Sequence, residues 1–250
     1  MTLLVAVLQK KLKTEKIMPN TIGTSNEATR QTWLAKTLTR LPSGLRLLDA
    51  GAGELANKQY CSHLEYLSQD FCQYEGAGDS KALQMKSWDT DQIDIVGDIT
   101  NIPEDDNSFD VILCTEVFEH LPDPVAALVE FQRLLKKGGT LIITAPFCSL
   151  THFSPYHFST GFNRYYYEHH LSVLDFKISN LETNGNYFEY LAQELRRLPS
   201  IADKYSSNKV NIIGKLSIKI ILMILAKLSK HDSGSHELLC FGYHVVAVKD

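Results

Sequence analysis

What most limits the fold of this chain is a series of short apolar runs between residues 44 and 145, with carboxylates at or just past their ends. Gly44-Leu-Arg-Leu-Leu48 runs into Asp49-Ala-Gly-Ala-Gly53. Leu64-Glu-Tyr-Leu-Ser-Gln-Asp70 and Ile93-Asp-Ile-Val-Gly-Asp98 both end in aspartate. Phe109-Asp-Val-Ile-Leu-Cys114 precedes Glu116 and Glu119, and Gly139-Thr-Leu-Ile-Ile-Thr-Ala145 closes the series. Short runs of this apolar density read as strands buried on both faces. Between the last two lies a helix. Asp123 caps it, Pro124 takes its first position, Leu128, Phe131, Leu134 and Leu135 form its apolar face, and Lys136-Lys137-Gly138 is expected to close it. Strand and helix in alternation imply a doubly wound α/β class, a parallel sheet with ligands bound beyond the carboxyl ends of its strands.

The flanks complete a single domain. Residues 1–43 form an N-terminal helical segment, in which Thr24-Ser-Asn-Glu27 resembles a capping box and Trp33, Leu34, Thr37, Leu38 and Leu41 recur at helical spacing until Pro42. Residues 44–147 are the ligand-binding core. The segment 148–181 is crowded with Phe153, Tyr156, Phe158, Phe162 and Tyr165 to Tyr167 beside His152, His157, His169 and His170, and ends in a strand-like run from Phe176 to Leu181. Those aromatics can stack on a flat acceptor or wedge into the core. Residues 182–238 read as a helical insertion, a lid with helices over 187–198 and 210–230. Residues 239–250 supply a last alternating strand, Cys240 to Val248.

Composition narrows the partners. A chain of 250 residues, 44% of them hydrophobic, buries enough surface to fold without disulfides or a structural metal. A net charge of −4 opposes a phosphate backbone, so nucleic acid is excluded as the main partner. Five scattered cysteines form no framework or zinc pattern, which fits a reducing, cytoplasmic compartment. Met1 to Leu8 precedes its lysines, the reverse of a signal peptide, and Lys215, Lys219 and Lys227 interrupt the apolar stretch 212–228. That stretch is too broken for the ~20 residues of a membrane span. As a helix, 210–230 gathers Lys215, Lys219, Lys227 and Lys230 on one side against Leu216, Ile220, Ile221, Ile224, Leu225 and Leu228. Its apolar face can pack on this protein's own sheet, on a second subunit, or at an anionic membrane surface; the oligomeric state stays open.

Gly51-Ala-Gly53-Glu-Leu-Ala56 fits the glycine turn of dinucleotide sites, and Asp70 lies near the offset of a ribose carboxylate. The neighbours argue against a pyrophosphate. The turn opens with Asp49, carries Glu54, and holds no Lys or Arg between Leu47 and Asn57. Like charges ~4 Å apart cost ~1 kcal/mol even in bulk water. The rim formed by Asp49, Asp70, Asp98, Glu116 and Glu119 suits a ligand with positive charge and hydroxyls. S-adenosylmethionine, with its sulfonium, ammonium and ribose diol, is such a ligand.

At Leu45 to Phe147 the chain resembles the class I S-adenosylmethionine-dependent methyltransferases of the broad methyltransferase-11 type. The matching motifs are Leu47 to Gly53, Asp70, Gly97-Asp98-Ile99, Ser108 to Ile112 and Leu135 to Leu141. The resemblance implies a Rossmann-like, seven-stranded, mostly parallel sheet with an antiparallel last strand. It also implies that Asp49, Gly51 and Gly53 face the methionine part of the cofactor, Asp70 the ribose hydroxyls, Asp98 and Ile99 the adenine, and Thr115 the region near the reacting methyl, with Ala50 and Phe71 also among the cofactor-binding residues. The third glycine of the first motif is Leu55 here, and the helix after Gly53 must be short.

Methyl transfer needs orientation and desolvation more than a nucleophilic side chain, and a hydroxyl acceptor gains from a base. The candidates are His120, His152 and His157; His120 more often orders a helix start at such a place, and His152 and His157 can equally be polar groups satisfied in a loop. Glu116-Val-Phe-Glu119-His120 also resembles ubiquinone-biosynthesis O-methyltransferases, whose Glu, Glu and His can hold a divalent ion, but one short match is weak ground and no metal is expected. The expected activity is methyl transfer to an oxygen of a small or lipid-linked acceptor. The alternatives are a nicotinamide-dependent oxidoreductase and a catalytically silent cofactor-binding module.

Overall fold

The computed structural model describes residues 21–74, 76, 83 and 89–250. The run from Met1 to Leu8 lies outside them. Two compact units emerge, one of residues 26–186 with 235–250, the other of 187–234 with residues up to 25.

The larger unit is built on one seven-stranded sheet. Its elements are α1 (Asn26–Leu38), β1 (Arg46–Ala50), β2 (Glu65–Asp70), β3 (Ile95–Val96), β4 (Phe109–Thr115), α2 (Pro124–Leu134), β5 (Leu135–Pro146), α3 (Arg164–Val173), β6 (Phe176–Asn184) and β7 (Gly242–Lys249). The strand order is β3-β2-β1-β4-β5-β7-β6. The pairs β1–β2, β1–β4, β2–β3 and β4–β5 are parallel, whereas β7 runs antiparallel to both β5 and β6. The doubly wound, mostly parallel sheet with a reversed last strand is therefore present.

Strand side chains alternate between two buried layers. Leu48, Ala50, Ile112, Cys114, Leu141, Ile143, Val245 and Ala247 meet Leu128, Phe131, Leu134, Tyr167 and Leu171 of α2 and α3. Leu47, Val111, Leu113 and Ile142 meet Trp33, Leu34 and Leu38 of α1. Burial on both faces is why these strands read as continuous apolar runs.

Several boundaries in this unit differ from expectation. The helix before β5 ends at Leu134, not at Lys136 to Gly138. The amides of Asn107 and Ser108 take the carbonyls of Arg133 and Leu134, and Leu135 already pairs with Phe109, so pairing with β4 stops the helix. The run from Ile93 to Asp98 forms only a two-residue strand. β3 lies at the sheet edge, and the Asp94 carboxylate replaces ladder bonds by accepting from the Ser68 amide at 2.9 Å and hydroxyl at 2.6 Å. After Gly53 come turns and a single 3-10 element, Lys58–Tyr60, in place of a short α-helix. The run from Phe176 to Leu181 continues to Asn184 because β7 pairs along all of it.

The smaller unit consists of α4 (Tyr187–Tyr205) and α5 (Ile212–Lys230). Sequence reading ends α4 at Leu198 because proline breaks helices, yet Pro199 sits inside it. Leu222 and Leu225 of α5 are buried with Ile22 and Ala192. Ile212, Ile213, Leu216, Ile220, Ile221, Ile224 and Leu228 are exposed.

Candidate active site

Beyond the carboxyl ends of β1, β2 and β4, where the strand order reverses, lies a cavity of about 660 Å³. That volume falls in the ordinary range of small-molecule sites. Its floor is the glycine turn after β1. The amides of Gly51 and Ala52 both donate to the Gln69 carbonyl, at 2.8 and 2.9 Å, and the Gly53 amide donates to Asp70 Oδ2 at 2.9 Å. Gly51 has φ +78°, and a Cβ there would sit 2.4 Å from a Val117 methyl, so only glycine lets the turn pass under the β4 loop.

Asp70 is buried at the end of β2. Its Oδ1 accepts from the Cys72 amide at 2.9 Å, so each oxygen has one backbone donor and a lone pair to spare. Asp98 accepts from the amide and hydroxyl of Thr100 and stands exposed at the cavity edge, with Ile99 buried beside it. Phe71 meets Tyr156 edge to face at 5.0 Å between ring centres. Thr115 Oγ1 accepts from the Asn57 amide at 3.2 Å. Gly51, Gly53, Asp70, Phe71, Asp98, Ile99 and Thr115 all line the cavity.

Asp49 and Ala50 do not line it. Both are fully buried in β1 behind the turn, and Asp49 Oδ2 accepts from the Tyr66 hydroxyl at 2.6 Å. Burial raises the Asp49 carboxyl to about 6, against the lowering effect of its bonds to Tyr66 and Asn57. Asp49 thus braces the turn from within the sheet.

The histidines assemble on the opposite wall. A 3-10 turn, Phe118–His120, follows β4. The amides of Phe158 and Ser159 donate to the Glu119 carbonyl at 2.9 and 3.2 Å, and His120 Nδ1–H donates to the Tyr156 carbonyl at 2.5 Å. These backbone bonds dock the aromatic segment onto the β4 loop. His120 and His152 line the cavity, whereas His157 is packed behind them, its ring centre 4.9 Å from that of His152 and 5.9 Å from that of His120. Burial pushes His120 down to about 3 and lowers His157 as well. Glu119 lies well above the usual carboxylate range, first from burial and then from Glu116. The aromatic run divides its uses: Phe153 stacks on Tyr74 at 3.7 Å and is buried, as are Phe162 and Tyr167, while Phe158 stays exposed at the cavity.

Three lining residues escaped sequence reading. Arg30 of α1 forms an ion pair with Glu116 at 3.0 Å, and nothing local in the sequence announces that pairing. Asn57 stands on turns where a helix was expected. Gln69 was legible in principle, as a polar residue at the end of a buried strand. Among the described residues, the lining atoms buried without a hydrogen-bond partner are Asn57 Oδ1, Gln69 Oε1 and Glu119 Oε2. All are acceptors.

Sheet order, glycine turn and strand-end acids together define a doubly wound α/β domain with a ligand cavity at the point where the strand order reverses. Residues 48–143 match the family described as methyltransferase domain. It is 30% identical over 158 residues to a demethylmenaquinone methyltransferase of Renibacterium salmoninarum, covering 62% of this chain and 61% of that one. Over 41 residues it is 46% identical to a ubiquinone biosynthesis O-methyltransferase of Xanthomonas campestris pv. campestris, covering 16% and 17% of the two chains. The chain thus spans under two thirds of the length of these curated relatives. Among solved structures, the [4+2]-cyclase SpnF superposes with a TM-score of 0.54 at 19% identity, covering 89% of this chain and 80% of that one. A geranyl diphosphate methyltransferase superposes with a TM-score of 0.52 at 12% identity, covering 90% and 78%. Both show the shared fold. No helix among the described residues is long and apolar enough to cross a membrane.

Proposed function

We propose that this chain binds S-adenosylmethionine and transfers its methyl group to an oxygen of a small or lipid-linked acceptor. The observation that carries the reading is the polarity of the cavity. Among the described residues, its unpartnered buried atoms are acceptors, and its acids, Glu54, Asp70, Asp98, Glu116 and Glu119, outnumber its one arginine, which Glu116 already holds. An ammonium, a sulfonium, an adenine amine and a ribose diol supply what such a wall lacks; a pyrophosphate does not. Asp70 would hold the ribose hydroxyls on its spare lone pairs, Asp98 and Ile99 the adenine, and the Gly51 to Gly53 backbone the methionine part.

When bound, the cofactor supplies an activated methyl group that an acceptor atom can attack in line with sulfur. The chain's own work is to align that attack and exclude water, with Phe71, Phe153 and Tyr156 forming a dry wall. His120 stays neutral, but at about 3 it is a poor proton acceptor near pH 7, and His157 does not line the cavity, which leaves His152 as the lining candidate for the base. Relatives named for demethylmenaquinone and for O-methylation in ubiquinone biosynthesis support a lipid-linked acceptor. Titration calorimetry against S-adenosylmethionine and NAD tests the cofactor, with binding of the first alone expected; tighter NAD binding reverses the reading. Labelled methyl transfer into an extract of the native cell then identifies the acceptor, and absence of any labelled product favours the silent binding module.

A peripheral membrane contact through α5 fits a lipid-linked acceptor. The exposed Ile212, Ile213, Leu216, Ile220 and Ile224 share the helix with exposed Lys215, Lys219 and Lys227. The expected result is co-sedimentation with anionic but not neutral vesicles, lost when the three lysines become glutamate. No sedimentation with either vesicle type rejects the contact.

A further inference from the structure

We propose that His120, His152 and His157, with Glu119, form a binding site for a divalent transition-metal ion of the zinc type. One ligand atom from each histidine can be chosen so that all lie within 4.8 Å of one another. A point then exists within about 2.8 Å of all three, against the 2.0–2.1 Å of a zinc–imidazole bond, so side-chain rotations of under about 1 Å would close the site.

The rings are already set for coordination. His120 Nδ1–H donates to the Tyr156 carbonyl and His152 Nδ1–H to the Leu150 carbonyl at 2.8 Å, which leaves the Nε2 lone pair of each ring free. A ligating histidine is typically held by its other nitrogen in this way. Both Nε2 atoms approach the same oxygen, Glu119 Oε1, at 3.7 and 3.9 Å, too far for a hydrogen bond. The second oxygen of Glu119, and both ring nitrogens of His157, are buried without a partner among the described residues. Glu119 is only 1% exposed and is aimed into the cluster.

Three imidazoles thus converge, with the Glu119 carboxylate beside two of them, without hydrogen bonds among them. A neutral partner has no reason to draw a carboxylate and three imidazoles to one point, whereas a cation accepts lone pairs from all four. Nitrogen ligands with one carboxylate favour zinc or a similar borderline ion over magnesium or calcium, which take oxygen. This set is not the Glu, Glu, His arrangement of the sequence resemblance, because Glu116 is held by Arg30. Sequence reading, which expected no metal, could not see it, since 31 positions separate His120 from His152. Resting on the methyltransferase reading, an ion here would take an acceptor hydroxyl as an added ligand, either as a fifth or in the place of Glu119, and favour its loss of a proton to solvent.

The test uses the full chain, stripped with a chelator and titrated with Co²⁺ and Zn²⁺, following the visible cobalt spectrum and calorimetry. The expected result is one equivalent bound, with zinc displacing cobalt. His152→Gln and His157→Gln should each weaken zinc binding by ~100-fold or more, beyond the usual effect of a supporting residue, and Glu119→Gln by less. His169→Gln with His170→Gln, on α3, should leave it unchanged. Failure of wild type to take up either ion overturns the proposal without any variant. Zinc binding that survives in the folded His152→Gln, His157→Gln double variant, or that is lost with His169 and His170, overturns the ligand assignment. S-adenosylmethionine affinity of the metal-free chain, measured alongside, shows separately whether the cofactor reading stands.

Discussion

Asp70→Ala is expected to lower affinity for S-adenosylmethionine by roughly 10- to 150-fold, the ~1.5–3 kcal/mol of charge-assisted hydrogen bonds to a ribose diol. The same substitution removes the acceptor for the Gly53 and Cys72 amides, so the fold should also lose stability, by about 1–3 kcal/mol for each donor left buried. Asp70→Asn separates the two effects. It keeps one carbonyl oxygen for a backbone amide but turns an NH₂ group toward the other donor, and it gives up the negative charge that strengthens the ribose bonds. Calorimetry with cofactor and thermal unfolding without it are the measurements. Unchanged affinity in a folded Asp70→Ala variant would remove the ribose role and leave Asp70 as a brace of the glycine turn.

The second large effect is acid destabilisation through His244. This residue of β7 is buried, packs on Trp33 at 4.7 Å between ring centres, and has an Nε2 without a partner among the described residues. Burial first, then the charge of Arg30, lowers it to about 4. The unfolded chain therefore takes up a proton near pH 6.5 that the folded chain refuses until about pH 4. The contribution of neutral His244 is complete above the unfolded value and is lost as pH falls through this window, by up to ~3 kcal/mol. Asp49 acts the other way. Its folded value near 6 exceeds the unfolded one, so stability rises as pH falls from about 6 toward 3.8. His120 and His157, both lowered by burial, and Glu119, raised by it, add to the pH dependence of wild type, so the wild-type slope alone assigns nothing to His244. The difference in unfolding free energy between wild type and His244→Gln, followed from pH 7.5 to 4, isolates the histidine. A difference that does not change with pH across that range contradicts the assignment.

The parts of the fold that reading the chain anticipated rest on local chemistry. The β1, β4 and β5 runs are apolar because both faces are covered. Asp123 caps α2 by accepting from Val125 and Ala126 at 3.0 Å, with Pro124 in the first turn, where no partner is needed for its missing N–H. Asp70, Asp98, Glu116 and Glu119 reach one cavity because parallel strands end on one side, whereas Asp49 stays behind the turn. Where expectation failed, a neighbour outweighed the local signal. β4 stopped α2 before its Lys-Lys-Gly, and Ser68 drew Asp94 out of the β3 ladder.

The sequence by itself therefore determined the sheet, the glycine turn, and the acidic character of the wall that a ligand faces, because period, capping and charge act over a few residues. The tertiary structure decided what distant residues do together. It placed Asp49 behind the turn, gave Arg30 to Glu116, and left Gln69 and Asn57 with unpaired oxygens. It also gathered His120, His152 and His157 around Glu119, through the Phe158 and Ser159 amides that bond to the Glu119 carbonyl. Those bonds join positions 39 and 40 residues apart, and no local periodicity encodes such a closure.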